Sequence, residues 1–122
     1  MALVDANIVL RYILRDNKEL ARNAKVIIEN KEVEIPFEVI AEIVYVLEKV
    51  YSVGRNEIYE SILLVSGYSN VIVTDYTVLE YALNEYKDAH IDFVDALLLG
   101  YNKIRKKEVH TFDKKLCKLL QK

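Results

Sequence analysis

Four short apolar runs, Ala2–Val4, Val33–Ile35, Val71–Val73 and Val109–His110, are separated by segments in which apolar residues recur at helical spacing. Short apolar runs flanked by helical patterns are the signature of a buried parallel sheet. The predicted element order is β-α-α-β-α-α-β-α-α-β-α. That order indicates an α/β fold, a three-layer sandwich around a central, mostly parallel sheet with right-handed crossovers. Only 3 Gly and 1 Pro occur in the 122 residues, which argues against a turn-rich sandwich or barrel and for long helices with short connections.

The helical segments carry readable ends. Residues 7–15 and 20–30 form a first pair. Pro36 pre-sets the entry to a helix near 37–52, and Gly54 stands where a C′ residue would stop it. Asn56 is positioned to cap the next helix, running to about Val65. Thr74 or Asp75 caps one running to about Tyr86, Asp92 one to about Lys106, and the last turns run from Asp113 to Leu120. No repeat or linker interrupts the chain, so one domain over residues 1–122 is expected. The single cysteine, Cys117, excludes an internal disulfide. His90 and His110 are too few and too far apart for a helical zinc-binding pair. The opening Met1-Ala2-Leu3-Val4-Asp5 has no charged n-region and no long apolar run. Neither a signal peptide nor a membrane span is expected, and the cytoplasm is the default location.

Open parallel sheets bind ligands beyond the carboxyl ends of their strands. Asp5 directly follows the first predicted strand and Asp113 follows the last, so the two carboxylates converge if those strands are neighbours. On the helix after Pro36, Glu38, Glu42, Tyr45 and Lys49 share one face, and the like charges of Glu38 and Glu42 at i, i+4 repel. Asp92 and Asp95 have the spacing of a capping box. Each acid has a local structural explanation: Asp5, Asp92 and Asp113 as helix caps, Glu38 and Glu42 as a solvated stripe. Their order along the chain is harder to explain that way.

Taken together, these segments resemble the PIN-domain ribonucleases, and especially the short VapC-type toxins of prokaryotic toxin–antitoxin pairs. The matching pieces are an apolar strand ending in Asp-x-Asn (Asp5, Asn7) and a Glu within an apolar helix after Pro (Glu42). They continue with an Asp opening an Asp-Ala-Leu-Leu-Leu-Gly helix (Asp95) and an apolar strand running into Thr-Phe-Asp (Thr111, Asp113). The resemblance covers essentially the whole chain. It implies that Asp5, Glu42, Asp95 and Asp113 form an acidic quartet holding Mg²⁺ or Mn²⁺ for phosphodiester hydrolysis, with Asn7 and Thr111 ordering the pocket. Asp92 has no counterpart and remains a cap. The resemblance further implies an RNA substrate, a homodimer and a silencing antitoxin partner.

The chemistry is consistent with such a site. Hard divalent cations prefer carboxylate oxygen. Four carboxylates gathered without a cation are costly, because each pair ~4 Å apart repels by about 4 kcal/mol at an effective dielectric of ~20. The site must therefore take up metal or protons. A bound ion would also supply hydroxide for in-line attack, so no histidine base is needed.

The net charge of −2 conceals an asymmetry. Residues 1–102 carry 9 Lys and Arg against 17 Asp and Glu, whereas residues 103–122 carry 8 against 2. Such a tail suits a polyanion or a solvated helix surface. Arg11 and Arg15, one and two turns beyond Asn7, and Lys114 and Lys115, beside Asp113, are candidates to hold RNA phosphates around an acidic centre. The nine tyrosines are scattered through the helical pairs, as half-buried packing or as a protein-contact surface. Three alternatives stand beside the toxin reading. They are a PIN nuclease of RNA processing without an antitoxin, a non-catalytic binding domain of the same fold, and a receiver-like phosphorylation domain. The last would want paired acids after its first strand, where only Asp5 is present.

Overall fold

A computed structural model describes all residues, 1–122. The order is β1 (Ala2–Leu3), α1 (Ala6–Leu14), α2 (Lys18–Asn30), β2 (Val33–Ile35), α3 (Phe37–Lys49), α4 (Arg55–Ser66), β3 (Val71–Val73), α5 (Tyr76–Asp88), α6 (Phe93–Arg105) and α7 (Lys114–Gln121). The fold is α/β with a wholly parallel sheet in the order β1-β2-β3. The chain gathers into two compact units, Met1–Thr74 and Asp75–Lys122.

The first unit holds the sheet and α1–α4. Val33 and Ile35 of β2 stand beside Val71 and Val73 of β3, and all four are buried. The alternate row, Leu3 beside Glu34 beside Ile72, is more open, with Leu3 70% and Ile72 48% exposed. Polar side chains tie the strand ends to helices. The Asn70 amide donates to the carbonyls of Ile28 and Lys31 at 2.7 Å each, closing the turn from α2 into β2. Pro36 occupies the N-cap of α3 and brings no side-chain acceptor. The Thr74 hydroxyl fills that role, accepting the Phe37 N–H at 3.0 Å. Asn17 caps α2 through the Leu20 N–H.

The second unit is helical. Val78, Leu79, Ala82 and Leu83 of α5 and Ala96 and Leu99 of α6 are buried, and the Tyr86 and Phe93 rings meet edge to face at 6.0 Å. Gly100 allows the close approach of the two helices: a Cβ there would lie 3.0 Å from the Val78 carbonyl oxygen. Asp75 caps α5 through the Val78 N–H and pairs with Arg105 at 2.8 Å.

Three expectations need correction. The run Val109–His110 is not a strand: residues 106–113 have no regular secondary structure, and the sheet has three strands. Gly54 does not end α3. Its φ is −70° and it serves as the N-cap of α4, while the chain turns away from α3 through Ser52, at φ 54°. Asn56 accordingly lies inside α4. No helix is long and apolar enough to cross a membrane.

Candidate functional site

In the first unit, Asp5 follows β1 and occupies the N-cap of α1, where its carboxylate accepts the Ile8 N–H at 3.2 Å. The side chain is exposed. It forms part of the wall of an apolar groove of about 610 Å³ shared with Leu3, Ile8, Ile27 and Pro36. Glu42 lies in the middle of α3, a helix that packs against α1. Glu38, Glu42, Tyr45 and Lys49 are all exposed, so the shared face read from the sequence is real and solvated.

Arg11 is firmly held. Its guanidinium meets both oxygens of Asp16 at 2.6 Å, takes the Asn7 side-chain oxygen at 3.2 Å and reaches the Tyr51 hydroxyl at 3.4 Å. Asp16 and Tyr51 hold that guanidinium above its ordinary pKa, and Arg11 in turn lowers that of Asp16. Asn7 therefore orders Arg11, and Arg11's donors are largely spent within the fold. Arg15 differs: it leaves the helix at φ 54° and lies 5.9 Å from the centre of the Tyr12 ring.

The second unit brings three acids into electrostatic contact. Asp92 is the N-cap of α6 but makes no side-chain cap hydrogen bond. Asp95 lies in the first turn of the same helix and is only partly exposed. Asp113 is the N-cap of α7, which packs on α6, and accepts the Leu116 N–H at 2.8 Å. Burial, and then the carboxylates of Asp113 and Asp92, push the Asp95 carboxyl above the ordinary carboxylate range. An acid held here pays for desolvation and for two like neighbours, which is the environment that a cation relieves.

Thr111 braces this cluster, its hydroxyl accepting the Asp113 N–H at 3.1 Å. Of the adjoining lysines, Lys115 donates to the His90 carbonyl at 3.2 Å, while Lys114 is exposed. The donor set fits a hard divalent cation in kind, being all carboxylate oxygen. Within neither unit do three or more His, Cys, Asp or Glu side chains come close enough to hold one ion among themselves.

Sequence reasoning missed three structural polar roles: Asn17 as a cap, Thr74 as the acceptor for α3, and the Asp75–Arg105 pair. Asn17 carried a usable signal, a capping-type residue three positions before Leu20. The Thr74–Phe37 bond joins residues far apart in sequence and carried none.

Comparison with known families matches residues 2–120 to one family, described as the PIN domain. Comparisons with curated proteins and with solved structures give no match.

Proposed function

The chain belongs to the PIN domain family, a nuclease fold that typically works with divalent metal ions, and from that premise we propose that it is an endoribonuclease of the VapC toxin type. The observation that carries the reading is the state of Asp95. It is a partly buried carboxylate whose ionised form is opposed by burial and by Asp113 and Asp92. Such a group serves the fold poorly and a cation well.

In this reading Asp5, Glu42, Asp95 and Asp113 hold Mg²⁺ or Mn²⁺. The ion, when bound, supplies an activated water and charge neutralisation for phosphodiester hydrolysis. The remaining work falls to the chain's own side chains. Thr111 fixes the backbone at Asp113, and Asn7 orients Arg11. Arg15, Lys114 and Lys115 hold RNA phosphates, with Arg11 contributing charge more than free donors. The exposed Tyr45 of α3, Val50 just after that helix and Leu64 of α4, each more than 60% accessible, support a protein-contact surface for a homodimer or an antitoxin. A cytoplasmic site of action goes with that role.

The test is cleavage of RNA with Mn²⁺ or Mg²⁺, with EDTA, and with Asp5→Asn. Cleavage is expected with metal alone and is expected to vanish in Asp5→Asn, whose melting temperature stays close to that of the parent. Undiminished cleavage by Asp5→Asn would sink the quartet. No cleavage by the parent with either metal would leave a binding domain of the same fold.

A further inference from the structure

A second polar feature of the first unit lies outside the carboxylates. Tyr12, Arg15, Lys18, Ala21, Arg22 and Lys25 line a groove of about 330 Å³ between α1 and α2. Lys18, Arg22 and Lys25 stand at i, i+4 and i+7 on α2, a row spanning about 10 Å along the helix. Ala21 lies between them and keeps the floor low.

None of the four cations takes part in an ion pair, in contrast to Arg11 and Arg105, which are spent on carboxylates. Lys18, Arg22, Lys25 and Arg15 are all exposed. Arg15 lies over the ring of Tyr12, which is itself buried and anchored through its hydroxyl to Glu29 at 2.6 Å and Tyr68 at 2.8 Å. The acids of α2, Glu19 and Glu29, form no ion pair with the row, and Glu29 accepts the Tyr12 hydroxyl instead. The outcome is four cations outside any ion pair in a shallow channel, one of them a guanidinium 5.9 Å from the centre of an aromatic ring.

We propose that the α1–α2 groove binds the phosphate backbone of single-stranded RNA, with Lys18, Arg22 and Lys25 on successive phosphates and Arg15 adding a phosphate contact at the end of the row. A linear row of cations matches a linear array of phosphates better than it matches a point anion. The choice of RNA over an acidic protein as the occupant rests on the nuclease reading.

The test is binding of a fluorescent oligouridylate of about ten nucleotides to the full chain in EDTA, where cleavage cannot intervene, as a function of salt. For the triple variant Lys18→Gln, Arg22→Gln, Lys25→Gln, affinity is expected to fall roughly tenfold or more. The log–log salt slope should become shallower by about 2, three single-strand contacts at ~0.7 each. Its helical circular dichroism and melting temperature should match the parent, the changed residues being exposed. Arg15→Lys, which keeps the charge and loses the forked donors, should weaken binding without changing the slope.

An unchanged slope and affinity in the triple variant overturns the proposal. So does an equal loss on neutralising Lys106, Lys118 and Lys122 in the basic tail, since net charge would then explain the binding. An acidic peptide that binds the parent as tightly as RNA, and loses that binding in the triple variant, reassigns the groove to a protein partner. A parent that binds RNA through the groove but never cleaves it refutes the nuclease reading and leaves the groove standing.

Discussion

Asp95 is held against its own charge. Because burial, Asp113 and Asp92 raise its pKa, the native chain binds that proton more tightly than the unfolded chain does. Above about pH 4, where an unperturbed carboxylate has already ionised, native stability therefore falls as pH rises through the Asp95 titration. Asp95→Asn is expected to raise the melting temperature of the metal-free protein at pH 7 and to remove that part of its pH dependence, as thermal melts from pH 4 to 8 would register. The same substitution should lower metal-dependent cleavage by more than about a hundredfold, since even indirect partners of metal ligands cost 10–100-fold. Stability gained and activity lost through one atom exchange is the behaviour of a functional residue held at a cost. At this scale the sequence was legible where chemistry is local. Asp5, Asp75 and Asp113 stand where capping residues stand, and the structure uses each as a cap. It was illegible where partners are chosen by the fold, as for Arg11. Its engagement with Asp16 depends on the left-handed turn at Arg15, and its contact with Tyr51 spans 40 positions.

Two contacts decide how elements meet, and each gives a measurable cost. A methyl at Gly100 would press on the Val78 carbonyl oxygen at 3.0 Å and its Cγ1 at 3.1 Å, and a helix backbone yields little. The overpacking penalty of about 1–3 kcal/mol exceeds the gain in helix propensity, about 1 kcal/mol. Gly100→Ala is therefore expected to lower the urea midpoint. In the first unit, Thr74→Val keeps the shape and removes the acceptor of the Phe37 N–H. It should cost about 1 kcal/mol, the usual worth of a helix cap, again seen in urea denaturation. Helices announced themselves well: α2, α3 and α6 fall close to their predicted spans because their apolar spacing and caps are written in consecutive residues. Val109–His110 failed because one valine and an exposed histidine do not determine a strand. A strand exists only where a neighbour accepts its backbone hydrogen bonds, and no local pattern records that neighbour. Gly54 failed for a related reason, since Ser52 already supplies the left-handed residue that the exit from α3 requires.

Across the whole molecule the charges divide by position. Residues 1–102 are acidic in excess and the last twenty basic, yet several of the cations best placed for a polyanion, Arg15, Lys18, Arg22 and Lys25, belong to the acidic part. Net charge alone is thus a poor guide to where nucleic acid would lie. The proposed ligands run from residue 5 to residue 113, so metal binding and folding are coupled in this reading. Mn²⁺ at about a hundred times its Kd should stabilise the parent by about 2.7 kcal/mol. It should do little for Asp5→Asn or Asp95→Asn, which differential scanning fluorimetry with and without the ion would reveal. The family match spans residues 2–120 and so takes in both compact units.

The caps also bear on how this protein should be dissected. Asp5 and Asp113 each give a carboxylate oxygen to a helix N–H. An alanine scan would therefore unseat α1 and α7 while it deleted a proposed ligand, and a dead variant would say nothing about which loss killed it. Asparagine leaves an acceptor for the same N–H and takes away only the charge. At these two positions amide exchange separates architecture from chemistry, and truncation confounds them. Glu42, in the middle of its helix, has no such entanglement and tolerates either.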